Sequence, residues 1–72
     1  MPVRVHLDGL LHQREMTLTE LSQRLGITMA NLSILKTGKA RAIRFTTLAA
    51  ICDALDCQPG EILTYERPGA PD

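Results

Sequence analysis

The chain has 72 residues with eight basic and eight acidic side chains, so its formal net charge at pH 7 is zero. This length allows one domain, and the scarcity of aromatic residues (one Phe, one Tyr, no Trp) predicts an aliphatic core formed by packed helices. No apolar run approaches the roughly 20 residues of a membrane-spanning helix, and the N-terminus lacks a signal-peptide pattern, so we expect a cytoplasmic location and no membrane partner.

Charge is distributed unevenly along the chain. Residues 21–52 include five basic side chains and no Asp or Glu, whereas residues 53–72 include five acidic side chains against Arg67 alone. The neutral sum therefore hides a basic middle segment, which predicts attraction of a polyanion to that part of the surface.

An arm and two helices are the first predicted elements. The alternating V-R-V pattern within residues 1–6 indicates a short strand or a loose arm. A first helix is predicted from Leu7 to Glu15 because its leucines repeat on one face. The next segment, "TLTE", is a capping box, in which the Thr17 hydroxyl and the Glu20 carboxylate each accept from the other's backbone amide. It predicts the start of a second helix.

A glycine separates the second helix from the third. Gly26 predicts a helix stop, because glycine readily takes the left-handed conformation that closes a helix C-terminus. Thr28 is the predicted N-cap of a third helix that ends at Thr37-Gly38. Two short helices joined by such a turn form a helix-turn-helix. The side chains predicted to form its inner wedge are Leu21, Leu25, Ile27, Leu32 and Leu35.

Two further helices complete the predicted domain, which spans residues 7–66. Phe45 is expected to anchor a fourth helix in the core. The other side chains predicted to face inward from that helix are Leu48, Ile51, Cys52 and Leu55. A short fifth helix is predicted from "QPGE", with Pro59 in its first turn and Ile62 and Leu63 packing it down. The Pro- and Gly-rich residues 67–72 predict a flexible tail.

The sequence offers no catalytic or metal-binding pattern. Cys52 and Cys57 match no zinc spacing and are expected to be small buried hydrophobes. His6 and His12 are expected on the surface, and no catalytic triad or glycine-rich phosphate loop is present. We therefore expect neither an enzyme nor a metal, a cofactor or a small-molecule ligand.

Two quoted stretches resemble a known family. "TLTELSQRLGITMANLSILKTGK", followed by "FTTLAAICDALDCQPGEIL", is similar to the Cro/repressor-type (XRE) helix-turn-helix domains of small phage and bacterial repressors. Its most specific elements are Ser22 after Leu21, Gly26 in the turn, Leu32 and Leu35 in the second helix of the motif, and the "KTGK" exit. Phe45 and the "LDCQPGEIL" close add to the match. The resemblance implies an all-α, five-helix, lambda-repressor-like DNA-binding domain with helices 2 and 3 as the motif and a possible short N-terminal strand. It also implies a dimeric bacterial transcriptional regulator, most often a repressor, that binds double-stranded DNA.

The family places the second helix of the motif in the DNA major groove. With Leu32 and Leu35 inward, a helical wheel assigns six side chains to the outer side or its flanks, where they are expected to read bases: Met29, Ala30, Asn31, Ser33, Ile34 and Thr37. The residues expected to bind phosphates are Thr17, Thr28, Lys36, Lys39, Arg41 and Arg44. Arg44 also matches a position that reaches into the minor groove.

Two alternatives remain open from the sequence. Met29 and Ile34 make the outer side of the third helix apolar, which also suits a protein-interaction module of the antitoxin or adaptor type. A dimer could form through edge-to-edge pairing of the Val3–Val5 arm or through the fifth helix. The apolar side chains available on the fifth-helix side are Ile62, Leu63 and Tyr65.

Overall fold

Five helices and one two-stranded sheet form the part of the chain that the computed structural model describes, residues 3–69. In chain order the elements are β1 (Val3–Val5), α1 (Leu7–Gln13), α2 (Leu18–Leu25), α3 (Met29–Lys36), α4 (Phe45–Leu55), α5 (Pro59–Ile62) and β2 (Leu63–Tyr65). The predicted five-helix fold with a short N-terminal strand is confirmed. The predicted tail lies partly outside the described residues, because 70–72 are not among them. Within residues 3–69, every helix is too short or too polar to cross a membrane.

Caps at both ends of α2 and at the start of α3 form the predicted helix-turn-helix. Thr17 Oγ1 accepts from the Glu20 amide at 3.1 Å, and Glu20 Oε1 accepts from the Thr17 amide at 3.4 Å. Gly26 ends α2 in the left-handed conformation with φ of 67°. Thr28 Oγ1 accepts from the Asn31 amide at 3.2 Å. These local bonds confirm the capping box, the glycine stop and the second N-cap.

Ser22 closes the turn between the two motif helices. Its carbonyl accepts from the amides of Gly26 (2.9 Å) and Ile27 (3.3 Å), and its hydroxyl donates to the Ile27 carbonyl. The small Ser22 side chain thus gives the Ile27 carbonyl of the turn a partner, while the Ser22 carbonyl accepts from both turn amides. These bonds act together with the buried Leu21 and Leu32 to fix how α2 and α3 cross.

The core is aliphatic, as the composition predicts, and every helix contributes to it. The most deeply buried side chains are Leu7, Leu21, Leu32, Ile51, Leu55 and Ile62. Within the predicted wedge, Leu35 is also buried, whereas Leu25 and Ile27 are half-buried. Arg14 joins α1 to the end of α4, because its Nε donates to the Leu55 carbonyl at 2.8 Å. A cation at this position also stabilises the negative end of the α4 dipole.

The two cysteines flank the C-terminus of α4, with Cys52 in its last turn and Cys57 just beyond its end. Asp56 is left-handed with φ of 50°, and the Cys57 amide donates to the Cys52 carbonyl at 3.0 Å. Burial, followed by the neighbouring Cys52, raises the pKa of the Cys57 thiol above its usual value. Cys57 therefore stays protonated at neutral pH and packs as a small hydrophobe, while Cys52 is half-buried.

The N-terminal arm is a strand that pairs with the far end of the chain. The His6 amide donates to the Ile62 carbonyl at 2.7 Å and continues the ladder beyond β1. Leu63, predicted to pack the fifth helix down, instead begins β2 with extended backbone angles. The antiparallel register pairs Val3 with Tyr65, Arg4 with Thr64 and Val5 with Leu63.

The two faces of this sheet differ in chemistry. On the polar face, Arg4 Nε lies 3.2 Å from Glu66 Oε2, and His6 Nε2 lies 2.6 Å from Thr64 Oγ1. Because side chains alternate along a strand, the residues between them point to the opposite face. This apolar sheet face consists of Val3, Val5, Leu63 and Tyr65.

Two further sequence predictions are wrong. Phe45 is 87% exposed instead of buried. It lies roughly a quarter turn around α4 from the direction of Ile51 and Leu55, in a first turn that extends past the core. The first helix ends at Gln13 and not at Glu15, because Glu15 takes a left-handed conformation with φ of 53°.

We expect Thr17→Ala to lower the free energy of unfolding by about 1 kcal/mol, because an amide of the first turn of α2 loses its acceptor. Urea denaturation followed by far-UV circular dichroism measures this loss. Thr19→Ala removes the same groups from an exposed position two residues after the cap, and we expect its effect to stay within about 0.5 kcal/mol. Equal losses in the two variants would argue against the capping contribution.

Candidate nucleic-acid interface

The outer side of α3 is exposed along its whole length. Leu32 and Leu35 are buried beneath the helix, so α3 is held to the rest of the domain by its inner face. In this orientation, the side chains predicted to read bases face outward and are available to a partner. All six are exposed: Met29, Ala30, Asn31, Ser33, Ile34 and Thr37.

The outer side of α3 presents both large apolar side chains and a few polar ones. Met29 and Ile34 are 43% and 47% exposed, which is unusual for large aliphatic side chains. The Thr37 hydroxyl donates to the carbonyls of Ser33 (2.9 Å) and Ile34 (3.2 Å), so it can only accept from a partner. Among the described residues, nothing hydrogen-bonds the side chains of Asn31 and Ser33. The Asn31 and Ser33 side chains are therefore the polar groups of α3 best placed to hydrogen-bond the edge of a DNA base.

The basic side chains near α3 fall into two groups. Lys39, Arg41 and Arg44, the loop cations, are exposed in the segment that joins α3 to α4, and none forms an ion pair within residues 3–69. Lys36 Nζ instead lies 3.5 Å from Asp8 Oδ1 on α1. The charge of Lys36 is thus partly compensated, and three of the four predicted cations at this end of α3 are free to attract an anion.

A groove of about 530 Å³ is lined by members of both sets of residues. It lies between α3 and the loop that leads into α4. Asn31 lines it on the helix side and Arg44 lines it on the loop side. The groove therefore joins candidate base-reading groups of α3 to Arg44, whereas Lys39 and Arg41 do not line it.

The two helix starts that were expected to bind phosphate differ in their electrostatics. The Glu20 carboxylate lies 3.4 Å from Thr17 Oγ1 at the start of α2, where its negative charge opposes an incoming phosphate. The first turn of α3 has no acidic residue, and the Thr28 hydroxyl accepts an amide while its hydrogen stays available. Thr28 is therefore the better anion-binding position of the two.

Phe45 is the surface residue of this region that sequence reasoning missed. Its ring is exposed directly after Arg44, at the start of α4 and beside the loop cations. The sequence signal that could have revealed this exposure is its angular position, which falls off the stripe formed by Ile51 and Leu55. An exposed aromatic ring next to cations suits contact with a sugar or base.

The comparisons with known proteins agree with this geometry. The profile of the Cro/C1-type HTH DNA-binding domain matches residues 6–68. The chain is also 63% identical over 65 residues to an uncharacterized HTH-type transcriptional regulator, YozG, of Bacillus subtilis (strain 168). That alignment covers 90% of this chain and 77% of the relative. The resemblance carried by the motif residues is confirmed, and the chain belongs to the family of Cro/C1-type helix-turn-helix DNA-binding domains.

Proposed function

We propose that the protein is a transcriptional regulator, acting as a repressor, that binds specific sequences of double-stranded DNA as a homodimer with α3 in the major groove. The observation that carries the proposal is the exposed outer side of α3, which one groove joins to Arg44, with Lys39 and Arg41 exposed and unpaired in the same loop among residues 3–69. Family membership and the bacterial relative support it. Because such a regulator works where the chromosome lies, a cytoplasmic location is part of the proposal.

Short and medium-sized side chains of α3 would contact the bases. The Asn31 amide can pair with the N6 and N7 edge of adenine, and Met29 and Ile34 can contact thymine methyl groups. Ala30 and Ser33 are small, so the helix backbone can approach the base edges closely. We therefore expect half-sites in which the positions facing α3 are mainly A·T pairs.

Phosphate contacts position the helix in the groove. The loop cations would neutralise phosphates on one strand, with Arg44 also able to enter the minor groove, while Thr28 would bind a phosphate at the start of α3. Phe45 would pack on the neighbouring deoxyribose. Since one helix reads only a few base pairs, a two-fold dimer on half-sites about 34 Å apart supplies the remaining specificity.

The competing interpretation is a protein-interaction module that uses the apolar outer side of α3. Under that interpretation Ile34→Glu would abolish binding of a protein partner, and removal of the loop cations would leave it intact. A surface that joins exposed apolar groups to uncompensated cations favours DNA, because a duplex offers thymine methyl groups and phosphates side by side.

Selection of binding sites from random duplexes tests the proposal. We expect enrichment of a two-fold symmetric site by the unmodified protein. Asn31→Ala should then lose about 1–3 kcal/mol at one adenine position and relax the preference there. The matched control is Gln13→Ala, which removes a similar amide from the exposed end of α1 and should leave the selected site unchanged. Absence of enrichment, or equal effects of the two changes, would count against base reading by α3.

A further inference from the structure

The two cysteines occupy a pair of positions that a helix C-terminus brings into contact. Asp56 is left-handed, and the Cys57 amide donates to the Cys52 carbonyl at 3.0 Å. This bond defines the Schellman motif, in which the side chains at these same two positions often pack on each other. We propose that Cys52 and Cys57 form a peroxide-responsive dithiol, which closes to a disulfide within the chain and protects the end of α4 from irreversible oxidation.

The two thiols lie within reach of each other in the reduced protein. Both cysteines are free. Burial and, after it, the closeness of Cys52, whose side chain hydrogen-bonds the thiol, raise the pKa of Cys57. A disulfide requires that the two Cα atoms lie close together and that the side chains point towards each other. The backbone bond and the side-chain contact join the same two residues, so both conditions favour closure.

The two thiols differ in their access to an oxidant in solution. Cys57 is buried and belongs to the hydrophobic core, whereas Cys52 is half-buried at the edge of that core. Burial also raises the pKa of the Cys57 thiol and keeps it protonated, while the thiolate is the form that attacks a peroxide. Cys52 is therefore the residue that is oxidised first, and Cys57 is the residue that resolves the intermediate.

Hydrogen peroxide is the oxidant that we infer. The Cys52 sulfur attacks one peroxide oxygen, the O–O bond breaks, and the departing hydroxide takes the thiol proton and leaves as water. The Cys57 sulfur then attacks the sulfur of the Cys52 sulfenic acid, and its proton leaves with the hydroxyl group as a second water. The two thiols lose two electrons, one peroxide is reduced, and a small thiol such as glutathione can restore the reduced pair.

Closure of the disulfide would keep the end of α4 apolar. A sulfenic acid without a neighbouring thiol is oxidised further to a sulfinic acid, which is charged and irreversible in the absence of a dedicated repair enzyme. Cys52 packs against the hydrophobic core, and Arg14 binds the carbonyls of Leu55 and Asp56 at the same helix end. A negative charge on Cys52 would be costly among these apolar side chains. Cys57 prevents this outcome by removing the sulfenic acid.

The dithiol lies away from the candidate nucleic-acid interface. Arg44 and Phe45 lie at the start of α4, whereas Cys52 lies about 10 Å further along the helix axis. Neither cysteine lines the groove beside α3. Oxidation should therefore leave the outer side of α3 and the loop cations exposed, and we expect the affinity for DNA to change by less than about threefold.

Mass spectrometry of the full chain after treatment with hydrogen peroxide tests the proposal. We expect the unmodified protein to lose two hydrogen atoms and to remain unlinked to other chains. Cleavage before Asp53 and Asp56 separates the two cysteines, so peptides that stay joined until reduction locate the bond. The melting temperature of the oxidised protein should rise by about 5 °C, because the closed loop restricts the unfolded chain.

Single substitutions separate the roles of the two thiols. In Cys57→Ala we expect Cys52 to gain one and then two oxygen atoms, because no second thiol removes the sulfenic acid. In Cys52→Ala the buried Cys57 should react at least about tenfold more slowly. Residues 45–72 include both cysteines and no methionine, so the mass of this tryptic fragment reports oxidation of the thiols alone. Far-UV circular dichroism establishes that both variants are folded.

Absence of joined peptides in the unmodified protein, or a disulfide between two chains, would overturn the inference. Faster oxidation of Cys57 than of Cys52 would overturn the assigned order, and a sulfinic acid on Cys52 in the unmodified protein would overturn the protective role. Titration of an operator duplex separates this inference from the proposed function. Loss of binding only after oxidation overturns protection, whereas no binding by either form overturns the proposed function and leaves the dithiol intact.

Discussion

Replacement of Lys39, Arg41 and Arg44 together by alanine is expected to lower the affinity for duplex DNA by roughly 100- to 10,000-fold near physiological salt. These loop cations are exposed and have no acidic partner among residues 3–69, so their full charge is available to phosphates. Each phosphate contact contributes about 0.9 to the slope of log affinity against log salt. In a dimer, the triple substitution should therefore reduce the magnitude of this slope by about 5.

Lys36→Ala provides the control for this experiment. It removes one positive charge from the end of α3, next to the same loop, but that charge lies 3.5 Å from the Asp8 carboxylate. We expect a loss of only a few fold and a nearly unchanged salt slope. Titration of a fluorescent operator duplex at several salt concentrations measures both quantities. A triple variant that keeps the original slope would show that the loop cations do not contact phosphates.

Leu21→Ala is expected to remove a large share of the domain's stability and to lower its melting temperature strongly. Leu21 is fully buried where α2 packs on α3 and α4. Truncation of a buried leucine costs about 2–5 kcal/mol, whereas a domain of this size has a total stability of roughly 4–11 kcal/mol. The helical signal and DNA binding should disappear together on heating, because the position of α3 depends on the same core.

Leu25→Ala is the matched control for the core experiment. It makes the same chemical change on the same helix at a half-buried position, so it removes less buried surface and leaves a smaller cavity. We expect the fall in its melting temperature to be clearly smaller than that of Leu21→Ala. Thermal denaturation followed by circular dichroism, with DNA titration on the same samples, compares the two. Similar melting temperatures for Leu21→Ala and the unmodified protein would contradict the packing argument.

Neighbouring carboxylates reduce the number of predicted phosphate-binding residues that an approaching DNA strand can use. Lys36 and Thr17 satisfy the sequence criteria for phosphate binding, yet each lies beside a carboxylate, from Asp8 and Glu20 respectively. Glu20 follows Thr17 closely in the chain, but its effect on an incoming phosphate depends on where the side chain folds back. Asp8 is distant in sequence from Lys36, and only the packing of α1 on α3 brings them together.

Features encoded by short-range chemistry were predictable from the sequence. The capping box at Thr17, the left-handed Gly26 and the N-cap Thr28 each involve residues within one helical turn, so their preferences need no knowledge of the remaining chain. The apolar period of α3 likewise defined which of its sides faces out. The sequence alone therefore predicts the motif and which side of α3 is exposed.

Long-range pairing decided the rest. The β1–β2 sheet joins Val3 to Tyr65 across almost the whole chain, and neither short strand carries a local signal strong enough to specify its partner. Exposure of Phe45 likewise depends on where the core ends relative to α4, which its own hydrophobicity cannot indicate. The amino-acid sequence by itself therefore determined the helices, their caps and the basic segment, because these depend on neighbours in the chain. Only the tertiary structure decided which cations are free and which apolar groups remain uncovered, because both depend on contacts between distant segments.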